Sequence, residues 1–281
     1  MVFKDLQVSS NFSVSSPSDH VLLVELNRKP VNAFNTAFWT ELGQLFDSIN
    51  TNGEIRVVVL ASAMPKLFTA GLDLNDTSAL TNKESDPAHK ALVIQHGLGK
   101  FQNAISSIER CRQPVILAAH GVVLGLGVDI ATACDVRYAA ADVNFSIKEV
   151  DIGLAADIGT LARLGKVTGN ESFARELAFT GRYFSATEAL SLGLVSRVVP
   201  GSRNEVIQAA LETAKLIAKK SPIPVIGIKK VMIHAKDHSV QENLEYVSMW
   251  NSAALQASDL ETAVKSALTK TVPKYPNLPK L

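Results

Sequence analysis

Cysteine is nearly absent: Cys111 and Cys134 are the two in 281 residues. So few thiols in so long a chain exclude a disulfide scaffold and point to a reducing compartment. Net charge is also nearly absent. Lys+Arg number 28 against Asp+Glu 27, a formal balance of +1, which gives no electrostatic case for nucleic acid or an anionic membrane surface. No apolar run approaches the roughly 20 residues of a membrane span. A fixed-period repeat, a low-complexity tract and a long linker are all missing. So is a phosphate loop, because no Gly-Lys-Ser/Thr follows the glycines. Gly121-x-x-x-Gly125-x-Gly127 does not fit the dinucleotide fingerprint Gly-x-Gly-x-x-Gly. The first residues, Met1 to Val8, carry Asp5 and no signal-peptide apolar core. Residues 1–20 hold no Arg and two acids, Asp5 and Asp19, unlike a mitochondrial leader.

What is present reads as a globular enzyme, with 47% hydrophobic and 20% charged residues and a chain long enough for a large core. Val21–Leu26 is a short apolar run and predicts a strand. Phe38, Leu42, Leu45, Phe46 and Ile49 recur at helical spacing, and Asn52-Gly53 ends that helix. Ile55–Leu60 is a β-branched buried strand. Phe68–Asp73 reads as a loop, 75–88 as a polar mobile loop, and 89–110 as a helix. Val115–Ala118 is a further strand, and His120-Gly121 turns the chain. Strands alternating with helices predict an α/β fold with parallel pairings. From about residue 201 the pattern is helical only, over 203–219, 222–236 and 239–270. The expected organisation is an α/β core over 1–200 and a helical C-terminal region over 201–281.

Three acids stand in apolar stretches: Asp129 in Gly-Leu-Gly-Val-Asp-Ile-Ala, Glu149 in Phe-Ser-Ile-Lys-Glu-Val, and Asp157 in Leu-Ala-Ala-Asp-Ile-Gly. A carboxylate in such surroundings carries a raised pKa and can move protons to and from carbon near neutrality. Any one of them alone also fits a helix cap or half of an ion pair. Two glycine turns accompany them. Ala70-Gly71 follows the Ile55–Leu60 strand region. Gly125-Leu126-Gly127 follows Val115–Ala118 and opens a helix at about Gly127–Cys134. Strand-to-helix turns present free N–H groups, and two of them can polarise one oxygen; close backbone packing is the alternative reading. His120 and Cys134 suggest a nucleophile pair, but no third orienting group is evident, so they are expected to be structural.

Ala119-His120-Gly121 through Asp129, with Ala133-Cys134-Asp135-Val136-Arg137, resembles the signature of the crotonase, or enoyl-CoA hydratase/isomerase, superfamily. Phe68-Thr69-Ala70-Gly71-Leu72-Asp73 resembles its other oxyanion-loop motif, and the resemblance runs from about residue 20 to 270. Lys148–Leu161 is similar to the corresponding run of Δ3,5-Δ2,4-dienoyl-CoA isomerases, with Asp157 where hydratases commonly carry Gly. Gly169–Ser172 and Glu176–Thr180 agree with that subfamily. Leu126 departs from the usual Gly, which puts acyl-chain fit in question.

The resemblance implies a crotonase-like spiral of ββα units with a helical C-terminal trimerisation region, and a homotrimer or dimer of trimers. It implies an acyl-CoA thioester substrate and no metal or other cofactor. The oxyanion and substrate-binding residues would be Ala70, Gly71, Leu72, Asp73, Leu126 and Gly127, with the N–H groups of Ala70 and of the Leu126–Gly127 turn on the thioester oxygen. Glu149 would stand at C2, Asp157 at C6, and Asp129 would order or tune them. Within the family, an enoyl-CoA hydratase or Δ3-Δ2-enoyl-CoA isomerase, on an ordinary or a specialised acyl chain, is the alternative. From another class, a noncatalytic acyl-CoA-binding subunit is the alternative, though it has no need of buried carboxylates. Pro279-Lys280-Leu281 resembles the Ser-Lys-Leu peroxisomal address read by an import receptor. The proline-rich run before it is expected to hold the tip extended and accessible.

Overall fold

The computed structural model describes residues 3–76 and 86–281. The chain forms β1 (Phe12–Ser18), β2 (Val21–Leu26), α1 (Thr36–Thr51), β3 (Val57–Ser62), β4 (Leu67–Thr69), α2 (Pro87–Arg110), β5 (Val115–Ala119), β6 (Val122–Leu124) and α3 (Leu126–Ala133). Then follow β7 (Val136–Ala140), β8 (Asn144–Ser146), a 3-10 turn (Glu149–Ile152), α4 (Thr160–Val167), α5 (Glu171–Thr180), β9 (Phe184–Ser185), α6 (Ala186–Leu192) and β10 (Arg197–Val199). Four helices end the described chain: α7 (Arg203–Ala218), α8 (Pro222–His234), α9 (Val240–Ala254) and α10 (Ser258–Thr269).

Two sheets share these strands. One runs β1-β2-β3-β5-β7-β10 and the other β4-β6-β8-β9. β2, β3, β5, β7 and β10 are parallel; β1 joins β2 antiparallel, with a register shift between Ser15 and Ser18. In the second sheet β4, β6 and β8 are parallel and β9 is antiparallel to β8. The chain therefore visits the large sheet, then the small sheet, then a helix, in β3-β4-α2 and β5-β6-α3, and winds as a spiral of ββα units. Such parallel strands are covered on both faces, which is why β3 and β5 are buried at every position and apolar apart from Ser62 at the end of β3.

Helix α1 buries Phe38, Leu42, Leu45, Phe46 and Ile49, the predicted face. Its start is fixed by Asn35, whose side chain accepts from the Phe38 N–H at 3.0 Å. Helix α2 begins at Pro87, capped by Asp86 on the N–H groups of Ala88 and His89. The expected loop over 75–88 therefore yields its last residues to the helix, while 77–85 lie outside the described residues.

Phe68 and Thr69 belong to β4, and Val122–Leu124 to β6, where loop and turn were expected. These three-residue strands form by pairing with each other, a long-range event. The expected helix over 239–270 is two helices. The break at Leu255–Ala257 turns Asp259 inward, where its carboxylate accepts from Ser221 Oγ at the start of α8.

A boundary at residue 201 would separate β10 from α7. In the structure α7 packs against the large sheet, with Val206, Ala209, Ala210 and Ala214 in one cluster with Val57, Val59 and Ile116. Helix α9 buries none of its residues.

The tail is extended, but it is held against the body rather than free. Leu278 N–H donates to Gly53 O and Leu281 N–H to Thr51 O, each at 3.1 Å. Arg56 reaches Tyr275 O and Arg112 reaches Pro279 O. Lys280 pairs with Asp5 at 2.7 Å. The side chain of Leu281 itself is exposed.

Candidate active site

The two glycine turns meet. A Cβ built on Gly71 would lie 3.0 Å from Leu124 O and 3.8 Å from Leu126 N. Gly71, at φ +84, allows this approach in a conformation that side chains disfavour. The first turn is braced from below. Buried Asn32 sends its amide to Ser62 Oγ at 2.8 Å and Phe68 O at 2.9 Å. Thr69 Oγ1 donates to Asn32 O at 2.6 Å and accepts from Gly71 N at 3.0 Å. Asp73 pairs with Arg28 at 2.9 Å and caps the Asn75 N–H; that backbone bond first, then Arg28, holds its carboxyl below the usual range. Sequence reasoning missed Asn32 and Arg28, because a lone polar residue before a helix reads as solvated loop.

These bonds decide which N–H groups are free. Ala70 N–H donates to Val31 O at 3.0 Å and Gly71 N–H to Thr69, so the expected Ala70 donor is already engaged. Leu72 is bridged to Phe34 through its neighbours, Phe34 N to Gly71 O and Asp73 N to Phe34 O. Its own N–H has no hydrogen-bond partner among the described residues. Across from it, Leu126 and Gly127 open α3, and Val128 N–H is the first to bond back, to Gly125 O at 2.7 Å. The unbonded donors of the two adjoining turns, among the described residues, are thus Leu72 N–H and the Leu126–Gly127 pair at the positive end of a helix. The Leu126 side chain is buried in the main core.

The three predicted acids form an electrostatically linked group next to these turns, Asp129 within α3, Glu149 against Gly125 and Asp157 ahead of α4. Asp129, one turn into the wholly buried α3, is 1% exposed. Its Oδ1 accepts from Thr160 N–H at 2.6 Å and so caps α4, which has only Gly159 at its own cap position. Burial raises its pKa; the Thr160 bonds and Arg163 work against that. Glu149 follows β8 on the 3-10 turn. Its Oε2 is buried with no hydrogen-bond partner among the described residues, and its Oε1 would lie 2.8 Å from a Cβ on Gly125, which has φ +48. Burial first, then the charges of Asp129 and Asp157, pushes its pKa up to about 7.

Asp157 precedes α4 and is solvent-exposed; its carbonyl accepts from Gln102 of α2 at 2.7 Å. Its carboxyl is also raised, by partial desolvation. Between the last two acids, Val150, Ile152 and Leu154 present exposed apolar side chains.

His120 and Cys134 are not a nucleophile pair. His120 is fully buried with Nε2 on Met64 O at 2.8 Å, and burial lowers its pKa. Burial pushes the Cys134 thiol up to about 12 and that of Cys111 to about 11, so neither is a thiolate at neutrality.

The α/β spiral thus brings two turns with unbonded N–H groups close together, near carboxyls of raised pKa, an arrangement chemically able to polarise an oxygen and move a proton. The enoyl-CoA hydratase/isomerase family model matches residues 17–277, and the chain belongs to that family. The human mitochondrial Δ(3,5)-Δ(2,4)-dienoyl-CoA isomerase is 46% identical over 90% of this chain and 77% of its own length. The Arabidopsis thaliana peroxisomal Δ(3,5)-Δ(2,4)-dienoyl-CoA isomerase is 41% identical over 88% and 89%. Among solved structures, the enoyl-CoA hydratase of Bacillus anthracis superposes with a TM-score of 0.84 at 29% identity, over 95% of this chain and 99% of that one.

Proposed function

We propose that this protein isomerises 3,5-dienoyl-CoA to 2,4-dienoyl-CoA. The observation that carries the reading is the pair Glu149 and Asp157, two carboxylates of raised pKa on one connection, with exposed apolar residues between them to meet an acyl chain. The names of the 41–46% identical relatives support it. In this mechanism the thioester oxygen accepts from Leu72 N–H and Leu126 N–H. That stabilises the dienolate and acidifies C2. Glu149, poised near neutrality, removes a C2 proton; the electron pair shifts along the conjugated carbons; Asp157 delivers a proton at C6. Asp129 stays an anion that holds the start of α4 and raises Glu149. The chemistry asks for no further cofactor, and coenzyme A arrives as part of the substrate.

Assay with 2-enoyl-, 3-enoyl- and 3,5-dienoyl-CoA in parallel tests this. The last should be converted fastest, followed by the ultraviolet absorbance of the conjugated product. Hydration without dienoyl isomerisation would sink the reading and leave the hydratase alternative.

Two further parts belong to the same reading. Helix α9 buries nothing and presents Leu244 and Met249, and α10 presents Leu260, Val264 and Leu268, which suits packing between copies in a homotrimer or dimer of trimers. Pro279-Lys280-Leu281 serves as an address for the peroxisomal import receptor; the human relative is named mitochondrial and the Arabidopsis one peroxisomal. Because the tail is seated on the body, the receptor must lift it. A reporter carrying residues 271–281 should enter peroxisomes, and a diffuse reporter would refute the address.

A further inference from the structure

Arg163 is a half-buried cation, 13% exposed, that the chemistry above does not use. It lies in α4, the helix whose first N–H Asp129 caps. Its nitrogens point three ways. Nε donates to Glu109 Oε2 at 3.0 Å and Nη2 to Ser106 Oγ at 2.7 Å, both on α2. Nη1 lies at the Gly159 turn, where a built Cβ would stand 2.0 Å from it and 3.9 Å from Asp129 Oδ1. The Gly159 turn, which lacks a side chain, thus lies between the third edge of the guanidinium and the Asp129 carboxylate, which interact through space without a direct hydrogen bond. Glu109 is clamped from the other side by Lys236 Nζ at 2.9 Å. Burial works to raise the Glu109 carboxyl, but Lys236 and Arg163 outweigh it and lower it, so Glu109 is a fixed anchor for the guanidinium.

We propose that Arg163 is a positioning residue that keeps Asp129 as the fixed anion of the site and so leaves Glu149 as the carboxylate whose proton moves. This rests on the roles assigned above to Asp129 and Glu149. The groups involved come from every neighbouring element. Asp129 faces Arg163 of α4, Asp157 of the preceding connection, and Glu149 of the 3-10 turn. Arg163 faces Glu109 of α2, with Lys236 behind it after α8. Arg163 acts on Asp129 through space, at one remove from the substrate. Without the guanidinium, Asp129 in its buried niche takes up a proton. Glu149 then loses a negative neighbour and gives up its own proton at lower pH.

The test is the pH dependence of kcat/KM in the wild type, Arg163→Met, Asp129→Asn and the double variant. Both single variants should move the acid limb to lower pH by about half a unit or more. The double variant should match Asp129→Asn, and Arg163→Lys should keep the wild-type limb. A limb in Arg163→Met that stays put or moves upward overturns the proposal. So does a double variant displaced beyond Asp129→Asn by the same step. Should Arg163→Met fail to fold by circular dichroism, Arg163→Gln, which can still reach Ser106, takes its place in the cycle. A wild-type rate in Glu149→Gln would remove the underlying assignment of the base instead. A slow Glu149→Gln with an unmoved limb in Arg163→Met removes the role of Arg163 alone.

Discussion

Asp129 and Glu149 are both carboxylates in apolar surroundings, and burial raises both. Their partners differ. Asp129 accepts the Thr160 N–H at 2.6 Å, with the Arg163 guanidinium across the Gly159 turn. Glu149 has one buried oxygen, Oε2, without a donor among the described residues, and two negative neighbours. Burial alone therefore does not make a proton carrier. Thr160 and a nearby cation work against burial at Asp129, while two like charges add to burial at Glu149 and bring its proton exchange near pH 7.

The comparison breaks most visibly in catalysis. Glu149→Gln and Asp157→Asn should each lower kcat about 10²-fold or more; wild-type turnover in either would take it out of proton transfer. Asp129→Asn should lose within about tenfold, because the amide oxygen can still accept from Thr160. A loss as large as that of Glu149→Gln would erase the distinction between the two acids.

The pH profile sharpens it further. Glu149 must be unprotonated to take the C2 proton, so kcat/KM should fall as pH drops through about 7. A profile flat from about pH 6 to 8 would contradict this.

The smallest effect is on stability. The folded pKa of Glu149, pushed up to about 7, lies above the ordinary glutamate value of 4.5. Its contribution is then fully present below the unfolded value and is lost as pH rises through the folded one. Glu149→Gln should therefore be more stable than the wild type at about pH 8, by on the order of 1–3 kcal/mol, and equal to it near pH 4. Thermal melting at the two pH values reads this out; Asp129→Asn should gain less, since its charge already has donors.

Much of this was legible in the chain. The face of α1 followed from helical spacing at Phe38, Leu42, Leu45, Phe46 and Ile49, and β2 matched its apolar run residue for residue. The three acids stood out because charge in an apolar stretch has few explanations. Other features were set by distant partners. β4 and β6 are too short to show a period and exist through pairing with each other and, for β6, with β8. The shift of the free donor from Ala70 to Leu72 depends on Val31 O. Arg163 in Leu-Ala-Arg-Leu reads as a solvated helix residue until Glu109 and Gly159 are beside it. The tail looked free because Arg56 and Arg112, which hold it, lie far upstream.

The large sheet ends on one side at β1, which carries Pro17 and the register shift between Ser15 and Ser18. On the other side it ends at β10, three residues long with an exposed Arg197 at its start. A proline offers no N–H, a bulge bends the edge, and a charged stub is too short to template a neighbour. Both rims are thereby closed to strand addition. Crowding many copies together should not recruit the sheet into fibrillar stacks, and association is left to the helical surfaces.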